Sequence, residues 1–201
     1  MTSLPMRDPK TDNLLTPHNA AFIFIDIQPI QVSSVASMDR RALVENMTNV
    51  AKTAMLYRAP VVLSTVNAKR GGQPTVKALT DVLTEVPELD RTTLNAWEDK
   101  EFLEAVKATG RTKLVFVALW TEVCLAYPVL DAIRDGYEVY PVVDACGSTT
   151  IEAHRAGLVR MMQAGARPVS WTSVLCELQR DWGRNETVPA FESVLFTAEG
   201  H

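Results

Sequence analysis

Three observations predict an α/β fold in which a parallel sheet is covered by helices on both faces. Residues 20–26, "AAFIFID", form an unbroken apolar run closed by a carboxylate, which is how a strand buried on both faces reads. Residues 113–119, "KLVFVAL", form a second such run. Elsewhere apolar positions recur at helical spacing, so that strands and helices alternate along the chain. A length of 201 residues suits one domain of this class, spanning 1–201, with a core over about 19–182 and a C-terminal tail, 183–201, free to join an oligomer contact.

The elements follow in order. A helix over about 41–57 leads from strand one to strand two, "APVVLSTV", introduced by Pro60. The "RGGQP" turn precedes a helix over about 75–83, and "EVPELDR" holds a short edge strand. A helix over 98–109 stops at Gly110, strand four is "KLVFVAL", and "EVCLAYPVLDAIRDG" is a helix again ended by glycine. "YEVYPVV" is strand five, "TTIEAHRAGLVRMMQAG" a helix and "ARPVSW" a sixth strand. "SVLCELQRDWG" reads as a short helix before a less regular tail. Six mainly parallel strands with helices on both sides place a site at the carboxyl ends of the strands.

Composition narrows the function. The net charge of -4 comes from interspersed charges without a basic stripe, so nucleic acid is not an expected partner. No run approaches the roughly 20 apolar residues of a membrane span, and the first 20 residues hold no signal-peptide core; a cytoplasmic protein is expected. Cys124, Cys146 and Cys176 are odd in number and widely spaced, so reduced thiols are the default. His18, His154 and His201 are scattered, and neither a metal nor a cofactor is expected. The "DIQPI" segment after strand one has no glycine-rich phosphate loop, which argues against a dinucleotide oxidoreductase.

Asp26, Arg91 and Cys124 all fall on the carboxyl rim. In a doubly wound sheet the chain reverses direction between strands one and four, so those strands flank a crevice and Asp26 faces Cys124. Cys124 lies in the first turn of a helix, where free N–H groups and the dipole favour a thiolate, and a nearby carboxylate could take its proton. On spacing alone a small buried side chain is the slightly favoured reading, since unpaired cysteines are among the most buried residue types. Asp26 could be a turn former, yet it closes an apolar run with Gln28 at the same parity, and a buried carboxylate needs a partner. Arg91 is the natural cation, although by default it pairs at the surface with Asp90 or Glu88. Cys146, at a strand end after Asp144, could rival Cys124, although Gly147 and Ser148 favour a tight turn there; Cys176 reads as core, and His154 reads as a surface or interface residue. Gln28, Trp97, Trp120 and Tyr127 are candidates to line a pocket.

"FIFIDIQ", "NAWED", "LWTEVCLAYPVLDAIRDGYEVYPVVDACGS" and "WTSVLCELQRDW" together resemble the isochorismatase-like cysteine hydrolase superfamily, and within it the small hydrolases of the YcaC type. The resemblance runs from about Asn19 to Trp182 and rests on D-x-Q after strand one combined with T-E-V-C after strand four. It implies a Rossmann-like three-layer α/β/α sandwich with an aspartate, a basic residue and a nucleophilic cysteine, here Asp26, Arg91 and Cys124. It also implies a non-proline cis peptide between Trp120 and Thr121, and an oxyanion hole from the amides of Thr121 and Cys124. Arg91 departs from the lysine usual in the superfamily; arginine orients charge but shuttles protons poorly. Nicotinamidases of this fold carry a D-x-H metal site after strand two, where this chain has "STVNAKR". True isochorismatases lack the cysteine, so its presence implies acyl chemistry. The expected activity is metal-independent hydrolysis of a small amide or related acyl compound through a thioester on Cys124, in a homo-oligomer. The alternative is a thiol-based redox sensor or small-ligand-binding protein without turnover.

Overall fold

The structure, a computed structural model, describes residues 7–197, so the last four residues of the expected tail, including His201, lie outside it. Its centre is β1 (Ala20–Ile25), whose six apolar side chains are fully buried. With no polar group among those side chains, helices can cover both faces, each large side chain contributing roughly 1.5–3 kcal/mol by burial. β2 (Val61–Val66) pairs with β1 on one side and β4 (Lys113–Ala118) on the other, Ile25 lying opposite both Ser64 and Ala118. β3 (Glu88–Arg91) and β5 (Glu138–Pro141) complete a parallel sheet of order β3-β2-β1-β4-β5. The chain direction reverses between β1 and β4, as expected, and their carboxyl ends open a crevice there.

One face is covered by α1 (Pro29–Ser34), α2 (Arg40–Leu56), α3 (Lys77–Thr80) and α7 (Trp171–Gln179), around Phe22, Phe24, Leu43, Met47 and Val117. The other carries α4 (Lys100–Ala108), α5 (Ala126–Arg134) and α6 (Ile151–Gln163), around Ile23, Ile25, Phe102, Phe116 and Val129. Four of these helices start at a side chain that accepts from the first turn's amides: Asp39, Asp99, Thr150 and Ser170. Among the described residues no helix is long and apolar enough to cross a membrane.

The structure corrects four expectations. The sheet has five strands, because 166–171 runs beside β5 without forming a ladder, its bridge Val142↔Val169 lying just past the strand's end. Arg167 N donates to Val139 O and Val169 N to Pro141 O, but the next rung needs an N–H at Pro141 that proline lacks. The helix expected over 75–83 shrinks to the single turn of α3, since 81–86 continues as successive turns. Cys176 is exposed, because α7 buries Val174, Leu175 and Leu178 on the opposite side. The tail holds a helix, α8 (Val188–Thr197), with Pro189 in its first turn and Phe191 and Val194 packed on Leu175.

The Pro141 explanation has a direct check. In Pro141→Val the new amide is expected to donate to Arg167 O and to become protected in hydrogen–deuterium exchange, completing a sixth strand; a freely exchanging amide at position 141 would refute it.

Candidate active site

β1 ends at Asp26, whose φ of 59° puts it in the left-handed region and breaks the strand. Aspartate tolerates that conformation better than most residues. Its amide still donates to Ser64 O at 2.9 Å, and its carboxylate is fully buried. Arg91, at the end of β3, reaches across β2 and binds both carboxylate oxygens, Nη1 to Oδ1 at 2.7 Å and Nη2 to Oδ2 at 2.8 Å. The default surface pairing with Asp90 or Glu88 is not made: Asp90 accepts from the amides of Ala68 and Lys69, and Glu88 from Thr75 N. Nη1 also donates to Ser64 Oγ and Thr65 O, both at 3.1 Å, and Nη2 to Leu94 O at 3.4 Å. Two-point binding in a dry site makes a strong ion pair, and removing one member of such a pair costs about 3–5 kcal/mol.

Cys124 lies in a π-helical turn, Thr121–Leu125, inserted between β4 and α5, and is 6% exposed. Its thiol donates to Asp26, and the backbone amide of Trp120 donates to its sulfur. Burial chiefly, then the Asp26 charge and that hydrogen bond, push the thiol well above its ordinary range, against the weaker pull of Arg91 and the Trp120 amide. This reverses the expectation of a thiolate stabilised by the helix start. The resting group is a neutral thiol, bonded to the carboxylate that can deprotonate it. Because folding favours the protonated form, its stabilising effect is present below the unfolded thiol's pKa of 9.0 and is lost as pH rises through the raised folded value.

The cis peptide lies at Leu119–Trp120, one bond before the expected Trp120–Thr121. Thr121 already belongs to the helical turn, and its amide donates to Gly147 O at 3.0 Å, so it is not free to serve an oxyanion hole. Of the two expected donors, only the Cys124 amide remains a candidate.

A family model described as the isochorismatase domain matches residues 20–173. This chain belongs to the isochorismatase family. It is 34% identical over 173 residues to Escherichia coli "Probable hydrolase YcaC", covering 86% of this chain and 83% of that protein. The structure of YcaC from Pseudomonas aeruginosa, determined with hexane-2,5-diol and covalent acrylamide, superposes with a TM-score of 0.87 at 33% identity, over 92% of this chain and 91% of that one. The E. coli YcaC structure, described as an octameric hydrolase of unknown specificity, gives 0.86 at 31% identity, covering 92% of each chain. The protein is therefore an isochorismatase-like hydrolase of the YcaC branch.

The other pocket candidates of this isochorismatase-family chain divide. Trp120 is half-buried beside Cys124, its Nε1 donating to Ser34 Oγ at 2.8 Å. Tyr127, one turn past Cys124, lines an open groove of about 510 Å³ with Leu94, Leu130 and Arg160, in which Cys124, Asp26 and Arg91 take no part. Gln28 is a clamp instead: it accepts from Val66 N and donates to Val66 O and Gln73 O, tying the loop after β2 to β1. Trp97 packs edge-on against Phe102 and Tyr137 and donates to Asp135 beyond α5, which turns it away from the rim. Ser64 was missed among the site residues, although a serine inside the apolar strand "VVLSTV" is the signal of a buried polar partner. Cys146, fully buried and pushed up to about 12 by that burial, is no rival nucleophile.

The coupling of Cys124 to Asp26 is checked by alkylation with iodoacetamide across pH. Asp26→Asn removes both the charge and the carboxylate acceptor, so the pH midpoint for Cys124 is expected to fall relative to wild type. An unchanged midpoint would show that the two groups are uncoupled.

Proposed function

We propose that the protein hydrolyses a small amide or related acyl compound by covalent catalysis at Cys124, without a metal. The observation that carries this reading is the hydrogen bond from the Cys124 thiol to an Asp26 carboxylate locked by Arg91. As a substrate carbonyl approaches, the sulfur forms a bond to its carbon while the thiol proton passes to Asp26. The oxyanion that develops takes a hydrogen bond from the Cys124 amide. Collapse expels the amine, which receives the proton from Asp26 and leaves a thioester. Water then attacks that thioester, gives its proton to Asp26, and releases the acid; Asp26 returns a proton to the sulfur.

Arg91 holds its charge throughout, so it orients Asp26 and offsets its charge while every proton moves through the carboxylate. The P. aeruginosa relative determined with covalent acrylamide, a small amide and a thiol-reactive electrophile, supports a nucleophile of this kind. A redox sensor is not favoured: sensing thiols are exposed and readily ionised, whereas Cys124 is buried and held protonated.

We further propose a homo-oligomer, in keeping with the octamer described for E. coli YcaC. Its contact would include α8 and its surroundings, where Trp182, Phe196 and Met55 are exposed.

Cys124→Ala is expected to abolish turnover on a panel of small amides while leaving the circular dichroism spectrum unchanged, and mass spectrometry of the wild type should trap an acyl adduct on Cys124. Turnover that persists in the variant would overturn the mechanism. Light scattering is expected to give a mass several times the protomer's 22.2 kDa, reduced in Phe196→Glu; a monomeric wild type would refute the assembly.

A further inference from the structure

The turn that carries Cys124 is held from two sides. On one, Thr121 N donates to Gly147 O, and Ser148 Oγ donates to Glu122 Oε2 at 2.5 Å. On the other lies α6, at unusually close range. A Cβ placed on Gly157 would sit 2.9 Å from Glu122 Cα, 3.0 Å from Glu122 N and 3.1 Å from Thr121 C. All three atoms are backbone, so none can swing aside; only glycine lets the helix lie this near. One turn earlier on α6, His154 Nδ1 shares a hydrogen bond of 2.8 Å with Thr121 Oγ1. Both residues are thus in contact with the two residues that open the π-helical turn.

We propose that Gly157 and His154 are positioning residues for Cys124, holding the turn at the depth that keeps its sulfur bonded to the Trp120 amide and the Asp26 carboxylate. The inference rests on Cys124 being the working nucleophile. Neither residue is directed at the sulfur; each acts through Thr121 and Glu122. A methyl group at Gly157 forces helix and turn apart by a few tenths of an ångström or more. Loss of the His154 bond frees the Thr121 side chain. The charged groups facing the sulfur are Asp26 and Arg91, and the charge beside His154 is Glu122. Displacing the sulfur from its seat therefore loosens its packing and the Asp26 contact, the effects that chiefly keep the thiol protonated.

The test is iodoacetamide labelling of the folded protein, read cysteine by cysteine against pH, in wild type, Gly157→Ala, His154→Phe and His154→Asn. The pH midpoint for Cys124 is expected to fall in Gly157→Ala and His154→Phe. It should stay at the wild-type value in His154→Asn, whose amide can occupy the place of Nδ1. Cys146, fully buried, should remain unlabelled throughout. On an amide substrate kcat should drop by about 10- to 100-fold in the two shifted variants with KM little changed. Wild-type midpoints in both Gly157→Ala and His154→Phe would overturn the proposal. So would labelling of Cys146 in both, since α6 would then be supporting the whole domain. Shifted midpoints in a protein that hydrolyses no amide would leave the positioning role standing and remove only the hydrolase reading.

Discussion

The buried pair of Asp26 and Arg91 is the constraint on which the site depends. Two charges withdrawn from water each lose several kcal/mol of hydration, and attraction alone seldom makes that up. Here the loss is offset by two parallel bonds and by Ser64 Oγ and the carbonyls of Thr65 and Leu94 around the guanidinium. Because Arg91 closes β3 and Asp26 follows β1, the pair spans β2 and ties three strand ends together. It thereby fixes the carboxylate at the point where the sheet changes direction, next to β4 and the turn that follows it. Burial chiefly keeps Cys124 protonated, and the carboxylate so placed adds to that effect.

The same arrangement divides labour among the charged groups. An arginine cannot take part in proton traffic, so a site built on Arg91 has a single titrating partner for the sulfur. In the mechanism proposed above, reactivity would then be coupled to occupancy, the thiol keeping its proton beside Asp26 until an electrophile draws electron density from it. A family member with lysine at this position has a second group able to exchange a proton, and its dependence on pH need not match that of this chain.

Much of this was legible in the sequence, for identifiable reasons. β1 and β4 were readable because burial on both faces leaves an unbroken apolar run, and their adjacency followed from the reversal in a doubly wound sheet. The pairing of Asp26 with Arg91 followed from the need of a buried carboxylate for a cation. Features that depend on direction within an element were hidden. Trp97 lies close to the rim in sequence, but its ring turns toward Asp135, and no spacing rule reports that. A motif fixes neither peptide geometry nor the partner of an amide, so motif position placed the cis bond one residue too late and credited Thr121 with an amide already given to Gly147. Cys176 shares its neighbours' apolar character but not their side of α7.

Pro141 also has a meaning for the company the protein keeps. A parallel sheet presents unpaired amides and carbonyls along its outer strands, an invitation to indiscriminate strand addition. At one margin β5 ends in proline, and Pro168 lies in the segment that touches it, so two of the donors such addition requires are missing. At the other margin β3 is only four residues long and carries Glu88, Asp90 and Arg91. With both margins blunted in this way, the sheet offers little purchase for backbone ladders that would accept any extended segment, and the helical surfaces are left as the places where shape and side-chain chemistry can select a partner.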